Sequence, residues 1–419
     1  RHGEYRRGGS RGIASTASRA PRGTQRSFPA PVAGLLLSPL ARGRLGLTQV
    51  STRANRILLV LPSLERGGGE RVLLQLARSF LEAGREVHLA VLLGGGPLRC
   101  EVPDAVVLHE LVDAGYARGF ALARKALPRL ASLIRSIRPD AVLSTMTGTN
   151  LLAAWACSQA HTNAHVVLRE AASLVNTKSV LKRQMMRWLY RRADALIAVS
   201  EGVAEDLRCL GLAKNRIHIV HNPIDADRLR RLASLEPPAT VDRKFPYVVS
   251  LGRLVEQKDQ RTLLRAYAMS ALRETHRLVI VGDGDLRADL ERLAYELGIA
   301  DRVWLTGAMD NPYPILARAS LHVLSSRWEG YPNVLLEALA LGVPVVSTDC
   351  PYGPRELLDG GRYGRLIPVA DPAALAQAMV AEIAQPSRDV DHVVAFHRPR
   401  TIAFRYLALL DDGPRGHAS

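Results

Sequence analysis

Two glutamates, Glu329 and Glu337, stand eight positions apart in the run SSRWEGYPNVLLEALALGVPVVSTDCPYGP, residues 325–354. A Gly, a Pro and an Asn lie between them, followed by apolar residues at helical spacing. That order reads as a strand, a tight loop and a helix start, with one carboxylate in the loop and the other a turn or two into the helix. Such a loop can offer a polar ligand several backbone N–H groups. The carboxylates could serve as acid and nucleophile in glycoside hydrolysis, or accept hydrogen bonds from a hydroxyl-rich ligand such as a sugar or ribose. Capping by Glu337 alone would leave Glu329 and the intervening Gly-Tyr-Pro-Asn without a role.

Arg253 and Lys258, in LGRLVEQKDQ, follow a strand pattern and precede a helix pattern. Two cations beside a helix N-terminus suit a diphosphate, although a solvated surface pair has the same spacing. A hydrolase needs no such clamp, which weighs against hydrolysis. The turn Val281-Gly282-Asp283-Gly284 ends another strand, where a flat ring can slide against backbone. Gly67, Gly68 and Gly69 precede a further helix start, where backbone can approach an anion. Three glycines also make an ordinary tight turn. Neither the dinucleotide spacing GxGxxG nor a phosphate loop ending in Gly-Lys-Ser/Thr is present there.

The elements that would position these residues alternate. Arg56–Pro62 is a buried-strand pattern, Glu70–Ala83 a helix with Val72, Leu73, Leu76 and Phe80 on one face, and Glu86–Leu93 a second strand. This βαβ unit predicts a parallel sheet. Strands are expected at Ala105–His109, Ala141–Ser144, Ala164–Arg169, Ala195–Ser200 and Ile217–His221. A second series starts at Tyr247–Gly252 and runs through strands at Arg277–Val281, Val303–Thr306, Leu321–Ser325 and Val345–Thr348, with helices between them. The expected division is an extension or leader over 1–54, domains over 55–222 and 245–392, a Pro-containing linker over 223–244, and a segment over 393–414 packing back on the first domain. Two doubly wound α/β domains facing each other make a cleft.

Composition narrows the classes. The 419 residues exceed one ordinary core. The net charge is +16, yet residues 1–56 carry eleven arginines against one acid, and residues 231–419 are close to neutral. The excess therefore argues only weakly for nucleic acid, and no nucleic-acid partner is expected. The Arg/Gly/Ser/Ala/Pro-rich start reads as a disordered extension, with a leader peptide as the rival. No apolar run is long enough to span a membrane. Cys100, Cys157, Cys209 and Cys350 are far apart, and neither His161 with His165 nor His218 with His221 has a partner at ligand spacing, so no metal site is expected.

Five blocks in order, LPSLERGGGERV, HNPID, GRLVEQKD, VGDGDLRADLERLA and EGYPNVLLEALALGVPVVSTDCPYGPREL, resemble the retaining glycosyltransferases of family 4. The resemblance runs from about Arg56 to Leu410 and implies the GT-B fold of two facing Rossmann-like domains. It implies a nucleotide-sugar donor, UDP-linked in most of the family, and no metal. Glu337 would then hold the ribose hydroxyls and Glu329 would face the transferred sugar. Backbone of Gly330, Tyr331, Pro332, Asn333 and Val334 would contact sugar and phosphate. Arg253 and Lys258 would neutralise the diphosphate, Gly282 would lie in the donor site, and Gly68 and Gly69 would close on the donor. Many relatives carry a His after a first-domain strand, but residues 144–150 here read Ser-Thr-Met-Thr-Gly-Thr-Asn. Thr147 and Asn150, with Arg169 and Glu170 at the same rim, are the residues expected to meet the acceptor, and the catalytic base is left open.

The resemblance implies transfer of a hexose or N-acetylhexosamine to a glycan or polyprenyl-linked acceptor in bacterial surface polysaccharide synthesis, in the cytoplasm. The alternatives are a sugar-nucleotide epimerase and a non-catalytic nucleotide-sugar-binding protein. The stretch Lys178–Arg192, with six cations among Val, Leu, Met, Trp and Tyr, is either core packing or a basic amphipathic face for an anionic membrane.

Overall fold

The computed structural model describes residues 54–116, 119–174, 177, 179–237, 245–387 and 390–412. The expected extension, up to residue 53, lies outside the described residues, as does Lys178. Two parallel sheets organise the rest. The first contains β1 (Arg56–Leu61), β2 (Glu86–Val91), β3 (Val107–Glu110), β4 (Ala141–Thr145), β5 (His165–Glu170), β6 (Ala195–Ala198) and β7 (Ile217–Ile219), in the order β3-β2-β1-β4-β5-β6-β7. The second contains β8 (Tyr247–Leu251), β9 (Arg277–Val281), β10 (Val303–Gly307), β11 (Leu321–Leu324), β12 (Val345–Thr348) and β13 (Arg365–Ile367), in the order β10-β9-β8-β11-β12-β13. These are two Rossmann-like domains, the GT-B arrangement.

The central strands read as unbroken apolar runs because helices cover both faces of each sheet. Ile57, Leu58, Leu59, Val60 and Leu61 of β1 are fully buried, at about 1.5–3 kcal/mol per side chain. The helix after β1 spans Gly68–Glu82 and buries Val72, Leu73, Leu76 and Phe80. It begins two residues before the expected Glu70, because extended Gly67 serves as the N-cap and Gly68 and Gly69 already lie in the helix. Gly84, with φ 74°, ends it; the amides of Gly84 and Arg85 return to the carbonyls of Leu81 and Phe80.

The strand order reverses between β1 and β4 and between β8 and β11. Loops leaving the carboxyl ends there diverge and leave a crevice. Gly67–Gly69 follows β1, Thr147 follows β4, Arg253 follows β8 and Glu329 follows β11. The chain leaves the first sheet after β7 and returns through the last helix, Pro399–Leu410, which packs on the helix Gly68–Glu82. Asp411 fixes that end by accepting from the Ala54 amide at 2.9 Å and from Arg85 at 2.6 Å.

Candidate active site

On the second domain, Lys258 ends a short turn after β8, and Asp259 caps the helix Gln260–Met269 behind it. Lys258 Nζ lies 2.6 Å from Glu329 Oε1. Ser326 Oγ donates to the same oxygen at 2.6 Å, and Gln257 Nε2 donates to the Trp328 carbonyl at 2.9 Å. The Glu329 backbone is pinned from both sides, its amide donating to Pro351 O at 2.6 Å and its carbonyl accepting from Tyr352 N at 2.9 Å. The carboxylate is thus buried and aimed by Lys258 and Ser326, while Arg253 is exposed at the same strand end. Gly282 is required beneath them, since a Cβ there would lie 2.0 Å from Gly252 O.

The helix Asn333–Ala340 starts four residues after Glu329, and no side chain caps it. Its first-turn N–H groups suit an anion. Glu337, one turn further, accepts from Tyr313 OH at 3.2 Å, and Arg71 of the first domain donates to that hydroxyl at 2.9 Å. Burial raises the Glu337 carboxyl above its ordinary value, against the pull of Arg71 and the Tyr313 hydroxyl.

The first domain presses directly on this loop. Asn333 Oδ1 accepts from Asn222 Nδ2 at 2.6 Å, and Asn333 Nδ2 donates to Gly68 O at 3.3 Å. A Cβ on Gly68 would lie 3.0 Å from Asn333 Nδ2, and one on Gly69 would lie 2.7 Å from Met146 Cε. Ser200 Oγ donates to Gly330 O at 2.9 Å. Arg66 and Asp310 make a further contact across the cleft. Glu70, in the first turn of its helix, is buried, and burial raises its carboxyl despite Arg253 and Arg169 nearby.

Of the four residues expected to meet the acceptor, Asn150, Arg169 and Glu170 lie wholly inside the first domain. Asn150 accepts from Ser144 Oγ at 2.5 Å and donates to Arg169 O at 2.9 Å and to Tyr190 OH at 3.2 Å. Arg169 donates to Thr145 Oγ1 at 2.7 Å, Asn222 Oδ1 at 2.5 Å and Tyr406 OH at 3.0 Å. Glu170 is also buried, accepting from Thr147 Oγ1 at 3.0 Å and Tyr190 OH at 2.8 Å. Burial raises its carboxyl, and those bonds oppose the rise. Thr147 alone of the four is partly exposed.

Residues 66–228 match the model of Glycosyltransferase Family 4, and residues 245–385 match that of Glycosyl transferases group 1. The N-acetylgalactosamine-N,N'-diacetylbacillosaminyl-diphospho-undecaprenol 4-alpha-N-acetylgalactosaminyltransferase of Campylobacter jejuni is 31% identical over 327 residues, 76% of this chain and 87% of that one. The lipopolysaccharide core biosynthesis glycosyltransferase LpsE of Rhizobium meliloti is 30% identical over 364 residues, 83% and 97% of the two chains. The chain belongs to the family 4, group 1 glycosyltransferases. The glycosyltransferase shares its fold with Anabaena Alr3699/HepE, solved in complex with UDP and glucose, at TM-score 0.70 and 19% identity, covering 85% of this chain and 99% of that one.

Tyr313, Arg71, Gln257, Ser326 and Asn222 were not legible as site residues. Gln257 and Ser326 are uncharged neighbours of Lys258 and Glu329, while Arg71, Asn222 and Tyr313 are brought in from distant parts of the chain. A cavity of 680 Å³ lies beside the loop Glu329–Asn333, lined by Arg71, Tyr313, Asn333 and Glu337 but by neither Arg253 nor Glu329. Among the described residues, no group of three or more His, Cys, Asp or Glu could hold a metal, and no helix is long and apolar enough to cross a membrane.

Proposed function

We propose that this glycosyltransferase is a retaining hexosyltransferase, using a UDP-linked hexose or N-acetylhexosamine and a polyprenyl- or other lipid-linked glycan acceptor in bacterial surface polysaccharide synthesis. The observation that carries the donor assignment is the convergence of the Lys258–Glu329 pair, exposed Arg253, the uncapped helix start at Asn333 and Glu337 at one strand switch point. In this reading the diphosphate lies against Arg253 and the amides of Asn333 and Val334, with Lys258 adding positive charge and orienting Glu329. Glu337 takes the ribose hydroxyls and Gly282 lies under the nucleoside. Glu329 faces the sugar, with the backbone of Gly330, Tyr331 and Pro332, and Gly68 and Gly69 form the opposite wall.

The bond from the sugar's anomeric carbon to the phosphate oxygen breaks as the acceptor oxygen bonds to that carbon on the same face. The acceptor's proton passes to the departing phosphate. The cations stabilise the growing negative charge on the nucleoside diphosphate, and neither a metal nor a protein nucleophile is needed. Thr147 forms the acceptor rim, and buried Asn150, Arg169 and Glu170 act beneath it by holding β4, β5 and the last helix in register.

The acceptor assignment draws support from the helix Val180–Tyr190. Val180, Leu181, Met185 and Trp188 are exposed on it, beside Lys182, Arg183 and Arg187, and Arg192 stacks 3.6 Å above the Trp188 ring. The same helix ends at Tyr190, which bonds Glu170 and Asn150 in the buried layer beneath Thr147. A membrane-facing surface on the cytoplasmic side would thereby sit next to the acceptor rim. The relative from Campylobacter jejuni has an undecaprenol-linked substrate in its name. Purified protein incubated with UDP-, GDP- and ADP-sugars, with and without polyprenyl-diphosphate glycans, is expected to release UDP in an acceptor-dependent way. No release from any donor, together with no nucleotide binding by calorimetry, overturns the reading.

A further inference from the structure

The two stretches of chain that cross between the domains meet at one residue. His397 lies between the short helix Asp391–Phe396 and the last helix. Its carbonyl accepts from the amide of Ile224, in the other crossing, at 2.8 Å. The residue is 4% exposed, and its ring makes two directed bonds, Nδ1 to the Val393 carbonyl at 2.7 Å and Nε2 to Tyr331 OH at 2.5 Å. A carbonyl only accepts, so Nδ1 carries the proton and Nε2 accepts from the tyrosine. Tyr331 belongs to the loop Glu329–Asn333. His221, at the end of the first sheet, closes the cluster, its ring centroid 5.1 Å from Tyr331 and 5.7 Å from His397. His221 Nε2 lies 2.5 Å from Glu356 Oε1, and the other oxygen of Glu356 accepts from the Glu201 amide at 3.0 Å.

We propose that His397 is a positioning residue: it holds Tyr331, and through it the donor loop, in register with the hinge formed by the two interdomain crossings. The proposal rests on the donor reading of that loop. A volume-filling histidine would need no such pattern. Here one ring bonds its own helix, its backbone bonds the linker, and its remaining nitrogen bonds the loop that carries Glu329. Burial supports the arrangement by lowering the His397 pKa to about 4, which keeps Nε2 an acceptor through the neutral range. A hinge motion that displaces Ile224 or Phe396 must then move Tyr331, whose backbone joins Glu329 to the helix start at Asn333.

The test uses His397→Phe, which keeps a ring and loses both bonds, Tyr331→Phe, which loses only the hydroxyl, and the double variant. Amide hydrogen exchange over residues 330–336 and the KM for the donor are read alongside the melting temperature. Both single variants are expected to speed exchange in the loop and raise donor KM about tenfold, with kcat changed less, and the double variant to be no worse than His397→Phe. Unchanged loop exchange in both singles, or effects that multiply in the double, overturns the proposal. The exchange readout needs no donor: a wild-type protein that binds no nucleotide would defeat the functional reading while exchange still decides whether His397 positions the loop.

Discussion

The ammonium of Lys258 sits 2.6 Å from the carboxylate of Glu329, a contact that joins the loop after β8 to the loop after β11 across the strand switch point. The side chains are 16% and 8% exposed, so neither charge is well solvated without the other. Removing one partner of a buried pair leaves a charge with little water and costs about 3 kcal/mol or more, whereas removing both is far cheaper. Lys258→Met should therefore lower stability in urea by about 3 kcal/mol, and Lys258→Met with Glu329→Gln should recover most of it. Both should lose turnover. Equal stability loss in the single and double variants would show that the pair is not coupled.

Gly330 tests how closely the domains must approach. A Cβ there would lie 2.2 Å from Ala171 O and 2.8 Å from Ala171 C, both first-domain backbone that cannot swing aside. Gly330→Ala should push the loop Glu329–Asn333 off the first domain. Misplacement of reacting groups by about 1 Å can cost on the order of 100-fold in rate. Turnover should fall by about that factor, while UDP affinity, which the proposed site draws mainly from the second domain, should change little. Stopped assays and calorimetry on the same preparation check both halves.

Much of this architecture was legible in the sequence, for a physical reason. Strands buried on both faces are mostly apolar, so RILLVL and YVVSL stand out, and the glycine and proline residues around Glu329 mark a loop. The strand Arg365–Ile367 did not stand out, being three residues long between a glycine-rich turn and Pro368, with no room for a period to develop. The helix Phe120–Ile137 carries an internal Pro128 that argues against a helix when read alone. In the site, the glutamates and cations were visible because charged residues stand there beside glycine and proline at strand ends. Tyr313, Asn222 and His397 were not, since their roles depend on contacts 24, 111 and 66 residues away.

Acid should destabilise the protein in part through His322. This strand residue is fully buried, both ring nitrogens lack hydrogen-bond partners, and burial, with Lys258 nearby, lowers its pKa from 6.5 to about 3. Below pH 6.5 the unfolded chain takes up a proton that the folded protein refuses until about pH 3. The contribution is thus intact above pH 6.5 and is lost as the pH falls, at up to about 1.4 kcal/mol per pH unit. His322→Val sacrifices no hydrogen bond and should show a shallower fall in stability between pH 6.5 and 4.5 than wild type. Parallel pH profiles for the two proteins would contradict the assignment.

The helix Val180–Tyr190 predicts a lipid dependence. Leu181 and Trp188 are 74% and 54% exposed among basic neighbours. Each cation near an anionic surface contributes about 1 kcal/mol, screened by salt. Wild type should sediment with vesicles containing phosphatidylglycerol at low salt and be released by high salt. Leu181→Ser with Trp188→Ser should weaken sedimentation without changing the melting temperature. Equal sedimentation of wild type with neutral and anionic vesicles would contradict the proposal.

The assignment of Arg253 and Glu337 to opposite ends of one nucleotide is tested most directly by calorimetric titration of UDP into wild type, Arg253→Ala and Glu337→Ala. Wild type is predicted to bind one UDP. Each substitution should weaken binding at least tenfold, about 1.4 kcal/mol, because one removes a cation at the diphosphate and the other the acceptor for the ribose hydroxyls. UDP binding of equal strength in all three proteins, or in none, would contradict the donor site.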